Sequence, residues 1–377
     1  MHQKINNWFI IIGFAMVIVL PLIFFDKNAT ESVSENRVLS TYEFSSFRDL
    51  LDVNKIQEFE SYFDDHIGGR DQLCTMLSEL QYVCFKELPN NIIRYGKNGE
   101  WYYDEGNSIE RYQKKLPADV TWANEYALRL NKLDEYYKSK GAQLIWMMNP
   151  DKQTIYPEDF IEGVNVIGKT DQFDVLTDAI INNTSVHVVN TEDVLYKNRF
   201  SQYGRVFWSK VDVSHWNHVG AYMAYEELMR TVQQLDPTVT KCSVDYQKDF
   251  FVNNLNPVTR TGEMSYRCTV KNASEITVDQ NVPPEVCIGD DSIYWHYENT
   301  SHPEYPKVLI FGDSYIYSFM MPYLAESFSE IVEVPYTNGV AGDWTESLLG
   351  YYNPDYVIYE CAEHMFDADM INMLPSE

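Results

Sequence analysis

Apolar and polar positions in this chain recur with two different periods, in separate blocks. Tyr126, Leu130, Leu133 and Tyr137 return at helical spacing, and Gly141 stands where the helix C-cap needs a left-handed residue. Gln143 to Met148 then forms a short, mostly apolar run that predicts a buried strand, and Val186 to Val189 predicts another. Ala221, Tyr225, Leu228 and Val232 mark a further helix. Lys307 to Phe311, Ile331 to Val334 and Tyr356 to Tyr359 predict three more strands, with helical patterns between them. Strands alternating with helices predict an α/β fold, a mainly parallel sheet with helices on both faces.

Other stretches depart from that rhythm. Phe47, Leu51, Ile56, Phe59 and Phe63 give a helical pattern over 46–88, and Ile92 to Tyr95, a Gly96–Gly99 turn and Trp101 to Tyr103 read as a hairpin. The stretch from about 240 to 300 is rich in Val, Thr, Tyr, Asn and Pro and reads as a β-rich insertion. Trp8 to Phe25 carries no charge and is long enough for one transmembrane anchor. Lys4 and the amino terminus precede it and Asp26 follows, which places residues 1–7 in the cytoplasm. Residues 26–45 then read as a stalk, and 46–377 as one extracytoplasmic folded domain. A cleaved signal peptide is the alternative, but Pro21-Leu22-Ile23-Phe24-Phe25 is not a small-residue cleavage site.

Composition narrows the function. With 45% hydrophobic and 15% aromatic residues, the 377-residue chain belongs with folded proteins. A net charge of −27 argues against nucleic acid as a partner and against a polybasic grip on anionic lipid. Cys74, Cys84, Cys242, Cys268, Cys287 and Cys361 form no C-x-x-C pair, which excludes zinc-ribbon and thioredoxin motifs. Their pairing stays open: Cys74 with Cys84, pairs within 242–287, or free thiols. No metal-ligand spacing or phosphate-cradling loop is evident, so no metal and no cofactor is expected, and His296 and His302 read as surface residues.

The chemistry concentrates in two places. The strand Val308-Leu309-Ile310-Phe311 runs into Gly312-Asp313-Ser314, where a tight turn exposes a serine hydroxyl beside backbone N–H groups. Asp212-Val213-Ser214-His215-Trp216 lies about a hundred residues earlier and supplies a base and an acid to orient it. Each motif alone also occurs in ordinary turns; both at strand or helix ends of one α/β chain point to a catalytic set of Ser314, His215 and Asp212. The oxyanion would be held by the Ser314 N–H and a second donor from Asn338, Gly339 or Gly342. Trp216, Tyr315, Tyr317 and Trp344 lie near the motifs and are candidates for binding the substrate.

These residues resemble the SGNH hydrolase superfamily, in which Gly-Asp-Ser carries the nucleophile and Asp-x-x-His the other two members. The closer resemblance is to the alginate O-acetylation proteins AlgJ and AlgX and their DHHW-group relatives. It rests on Glu35-Asn36-Arg37, Phe59 to His66 with Gly69-Arg70-Asp71, Gly96 to Trp101, Asn149-Pro150-Asp151-Lys152 with Ile155 to Glu158, and Asp212 to Asn217 with Gly220-Ala221. The resemblance implies an SGNH-like (flavodoxin-like) fold, permuted so that Asp and His precede Ser. It implies acetyl transfer through an acetyl-serine to an exported or cell-surface polysaccharide, the acetyl group being supplied by an MBOAT-type membrane acyltransferase. Two features depart from the alginate proteins. Two residues separate Asp212 from His215 where those proteins have one, and Glu363-His364 stands where the group often has Glu-Arg. The alternatives are a carbohydrate esterase with the same triad and a non-catalytic polysaccharide-assembly protein.

Overall fold

The computed structural model describes residues 14–16, 19, 21–32, 37–44, 46, 51–85, 92–104, 107–200, 204–209, 212–245, 249–253, 263–266, 295–338, 340, 342–366 and 368–375. The chain forms two compact units, Met1–Asn90 and Asn91–Glu377.

In the first unit, Glu31–Ser32 pairs antiparallel with Arg37–Val38. Two helices follow, α1 (Val53–His66) and α2 (Arg70–Phe85). Asp52 caps α1 by accepting the Asn54 N–H at 2.9 Å. Cys74 and Cys84 both lie on α2 and are free thiols. Ten residues of helix set them about 15 Å apart, beyond disulfide reach, so that pairing is excluded. Cys361 is a free thiol as well, Cys242 is buried, and Cys268 and Cys287 lie outside the described residues. Among the described residues no helix is long and apolar enough to cross a membrane. Of the expected anchor, positions 8–13, 17, 18 and 20 lie outside them.

The second unit is built on a six-stranded sheet. Its strands are β1 (Gln143–Asn149), β2 (His187–Asn190), β3 (Trp295–Glu298), β4 (Lys307–Gly312), β5 (Glu330–Pro335) and β6 (Tyr356–Ala362). They lie in the order β2-β1-β6-β4-β5-β3. All pairings are parallel except β3 on β5, so β3 supplies an antiparallel edge. Of the stretch from about 240 to 300 expected to be a β-rich insertion, Phe250–Asn253 also pairs with Glu263–Tyr266, while 246–248, 254–262 and 267–294 lie outside the described residues. The expected hairpin is present as Ile93–Tyr95 against Trp101–Tyr103.

Side-chain alternation along the strands gives the sheet two apolar faces. Leu309 and Phe311 of β4 pack with Val332, Val334, Val357 and Tyr359 against α3 (Val120–Ser139), α4 (Gln172–Asn183) and α6 (Asp343–Tyr352). Val308 and Ile310 turn the other way, toward α5 (His218–Leu235). Each fully buried side chain of this kind contributes roughly 1.5–3 kcal/mol, more than any local propensity at the position. Tyr126, Leu130, Leu133 and Tyr137 are all buried on α3, which Asp119 caps through the N–H groups of Thr121 and Trp122. Gly141 ends it at φ +92°, its N–H donating to the Lys138 carbonyl.

On the α5 side the apolar pattern stops at the C-terminal ends of the strands. Alternation there presents Asn149, Glu360, Gly312 and Glu333 where apolar residues stand one turn of the pleat earlier. The chain leaves β4 outward to β5 and leaves β1 in the opposite direction to β2. The crevice between such diverging connections is where open α/β sheets bind ligands.

Candidate active site

The acid and the imidazole share one tight loop. Asp212 Oδ1 accepts the N–H groups of Ser214 (2.9 Å) and His215 (2.8 Å), folding the segment so that both side chains face the same way. His215 Nδ1 then stands 2.9 Å from Asp212 Oδ2 and 3.0 Å from Oδ1. Burial alone would raise the Asp212 carboxyl, but the His215 ring and the two backbone N–H groups outweigh it and hold it down at about 2. The loop is anchored at both ends. Asn217 caps α5 through the N–H groups of Val219 and Gly220. On the other side, the fully buried Lys152 ammonium donates to the carbonyls of Trp101 (2.7 Å) and Ser209 (2.8 Å), and Glu100 lies 3.3 Å away.

Ser314 reaches the same place from the sheet. β4 ends at Gly312, Asp313 makes the turn, and Ser314 opens a helical segment that runs to Leu324. Its N–H is therefore one of those a helix start leaves without an intrahelical partner. Asp313 fixes the turn with three hydrogen bonds: its carboxylate accepts the N–H groups of Tyr315 and Ala362, and its own N–H donates to Glu360, each at 2.9 Å. Glu360 in turn accepts from the Asn149 amide at 2.5 Å. Burial, with the Asp313 charge beside it, pushes the Glu360 carboxyl well above its ordinary range. The outcome is that Ser314 Oγ lies 2.6 Å from His215 Nε2. Hydroxyl, imidazole and carboxylate are thus joined in one hydrogen-bonded line, with the His215 ring held between Tyr315 (5.3 Å) and Phe319 (5.6 Å).

A cavity of about 220 Å³ opens beside Ser314, lined among others by Tyr317, Trp295, Glu333, Tyr336 and Thr337. Tyr317 is therefore at the site. Trp216 and Tyr315 are not open to a sugar ring, which corrects the expectation from sequence proximity. Both are buried, the Trp216 indole N–H donating to the Tyr315 carbonyl and the Tyr315 hydroxyl to the Ser214 carbonyl. They brace the two halves of the site against each other. The Tyr336–Asn338 turn reaches the cavity, while Gly339 and the side chains of Asn338 and Trp344 lie outside the described residues. Gly342 stands at the N-terminus of α6.

Sequence reading missed several groups here. Glu333 and Glu360 are acids inside otherwise apolar strands, a signal available from the pattern alone. A second buried pair, Asp151 and His364 at 2.5 Å, adjoins Glu363, which accepts the Asp151 N–H. His296 is also no surface residue. Its side chain is only 11% exposed and lies 2.9 Å from Glu330, whose charge Lys307 already meets at 2.6 Å.

Residues 94–341 match the family described as "SGNH hydrolase-like domain, acetyltransferase AlgX". Among solved structures the chain is similar to PatB1 of Bacillus cereus, at 14% identity and a TM-score of 0.52, with 74% of this chain and 99% of that chain covered. It is also similar to a DHHW family protein from Eubacterium siraeum (17% identity, TM-score 0.49, 77% and 98% covered). The O-acetyltransferase domain of Pseudomonas putida AlgJ is a third (15% identity, TM-score 0.42, 74% and 98% covered). No curated protein matches the sequence.

Proposed function

From the premise that this chain belongs to the SGNH hydrolase-like AlgX acetyltransferase family, we propose that it moves acetyl groups onto hydroxyls of an exported or cell-surface polysaccharide through an acetyl-Ser314 intermediate. The observation that carries this reading is the line of contacts from Ser314 Oγ through His215 to Asp212, at 2.6 and 2.9 Å, beside a cavity walled by aromatic rings.

His215 Nε2 takes the Ser314 proton as Oγ attacks the carbonyl carbon of the acetyl donor. The tetrahedral intermediate collapses, the donor's leaving group departs with the proton held on His215, and the acetyl group stays on Ser314. A sugar hydroxyl then gives its proton to the same nitrogen and attacks the acetyl carbon. Ser314 leaves and recovers its proton, so no net charge is transferred. Asp212, ionised down to about pH 2, fixes the Nδ1–H tautomer and stabilises the imidazolium in both half-reactions. In this reading the Ser314 N–H, at the start of its helical segment, holds the oxyanion; losing one such donor typically costs about 3 kcal/mol of transition-state stabilisation. Anchoring by residues 8–25 and supply of acetyl by an MBOAT-type acyltransferase complete the proposal.

The test is a competition between acceptor and water. With an activated acetyl ester and an oligosaccharide present, acetylated oligosaccharide should accumulate with the native chain and not with Ser314→Ala. Free acetate alone, whatever saccharide is offered, would make the protein an esterase.

A further inference from the structure

We propose that Glu333 and Trp295 form the polar wall of the acceptor subsite, where the Trp295 indole N–H and the Glu333 carboxyl bind hydroxyls of one sugar residue beside Ser314. This deepens the transferase reading and rests on it.

The two residues come from distant parts of the chain but stand directly opposite each other on antiparallel strands, Trp295 on β3 and Glu333 on β5. Directly opposed residues share one face of a sheet, and here both line the cavity that also holds Ser314. Glu333 is 1% exposed, and among the described residues no group, the Tyr317 N–H included, meets its carboxyl oxygens in hydrogen-bond geometry; the Trp295 indole N–H is buried and likewise unmatched among them. Leaving one buried polar group unmatched is costly, and two side by side on one cavity wall call for a ligand that supplies both a donor and an acceptor. Saccharide hydroxyls supply both.

The chemistry of the wall suits a neutral ligand. Burial, with Glu360 and Asp313 close by, pushes the Glu333 carboxyl well above its ordinary range, although the Tyr317 backbone N–H nearby favours the ionised form. A carboxylic acid offers an O–H donor and a C=O acceptor where a carboxylate would only accept. Trp295 also stacks on Tyr317, ring centroids 5.5 Å apart and planes at 23°, giving a flat apolar surface against which the C–H face of a pyranose can lie.

The experiment is calorimetric titration of the full chain with maltotetraose, cellotetraose and chitotetraose. The native protein should bind at least one. Glu333→Gln keeps a donor and an acceptor and should retain that binding. Glu333→Met and Trp295→Phe, which keep volume and lose the polar atoms, should each weaken it about tenfold, the loss expected for one buried hydrogen bond left unmade. Thermal melts check folding, and Trp295→Phe stands alone if Glu333→Met does not fold. Native-like binding by the folded apolar variants, or no binding of any of the three sugars by the native chain, would overturn the proposal. Binding needs no acetyl chemistry. A protein that binds through this wall but never acetylates Ser314 therefore keeps the subsite and loses the transferase reading.

Discussion

A Cβ built on Gly312 would stand 3.1 Å from Glu360 Oε2, and only 3.2 Å from Glu333 Oε1 on the opposite side. The residue before the Asp313 turn is thus clamped between two buried carboxyls, and its missing side chain is what lets both approach the strand end beneath Ser314. Gly312→Ala must push one acid away and disturb the turn that Glu360 holds through the Asp313 N–H. Overpacking of this kind costs about 1–3 kcal/mol. Urea unfolding should show that loss, together with a fall in Ser314 acetylation greater than the fraction unfolded explains. An unchanged midpoint would mean that the acids move freely.

Lys152 is the support for the acid loop. Its ammonium is fully buried among Glu100 and the carbonyls of Trp101 and Ser209. Lys152→Met removes the charge and leaves the Glu100 carboxylate behind, a change that costs about 3–5 kcal/mol in buried pairs. A drop in the urea midpoint of that size is expected. Less than about 1 kcal/mol, the range of exposed pairs, would place the ammonium in water.

Glu363 makes stability depend on pH. Burial, then the Asp151 charge, raises its carboxyl from 4.5 to about 8. A raised value in the fold means that the native state holds a proton which the unfolded chain releases above about 4.5. The stability this gives is complete below that pH and is lost as pH rises through about 8. Glu363→Gln can still accept the N–H of Asp151 and the hydroxyl of Thr154. Its melting temperature should therefore fall less than that of the native chain between pH 5 and 9. Parallel curves would contradict the raised value.

The sheet was legible because strand faces announce themselves through alternation, as in Val308 to Phe311, and because helix faces recur as in Tyr126 to Tyr137. The two loops carrying Asp212, His215 and Ser314 were legible for a different reason, each being a local turn with its own hydrogen-bonding logic. What local pattern could not supply was lateral order. Nothing in the segment around Trp295 says that it pairs with β5, and so nothing joins it to Glu333. Trp216 and Tyr315 failed in the opposite sense. Nearness in sequence to His215 and Ser314 suggested open rings, whereas packing the two loops together required both rings as filler between them.

The account turns on Ser314 as the atom that carries the acyl group, and mass spectrometry reads this directly. After brief exposure of the native chain to an activated acetyl ester, peptide mapping should locate one acetyl group on Ser314. The adduct should be absent from Ser314→Ala and His215→Ala and should be lost when oligosaccharide is added. Acetylation that persists in Ser314→Ala, or a Ser314 that stays unmodified with every activated donor, would contradict it.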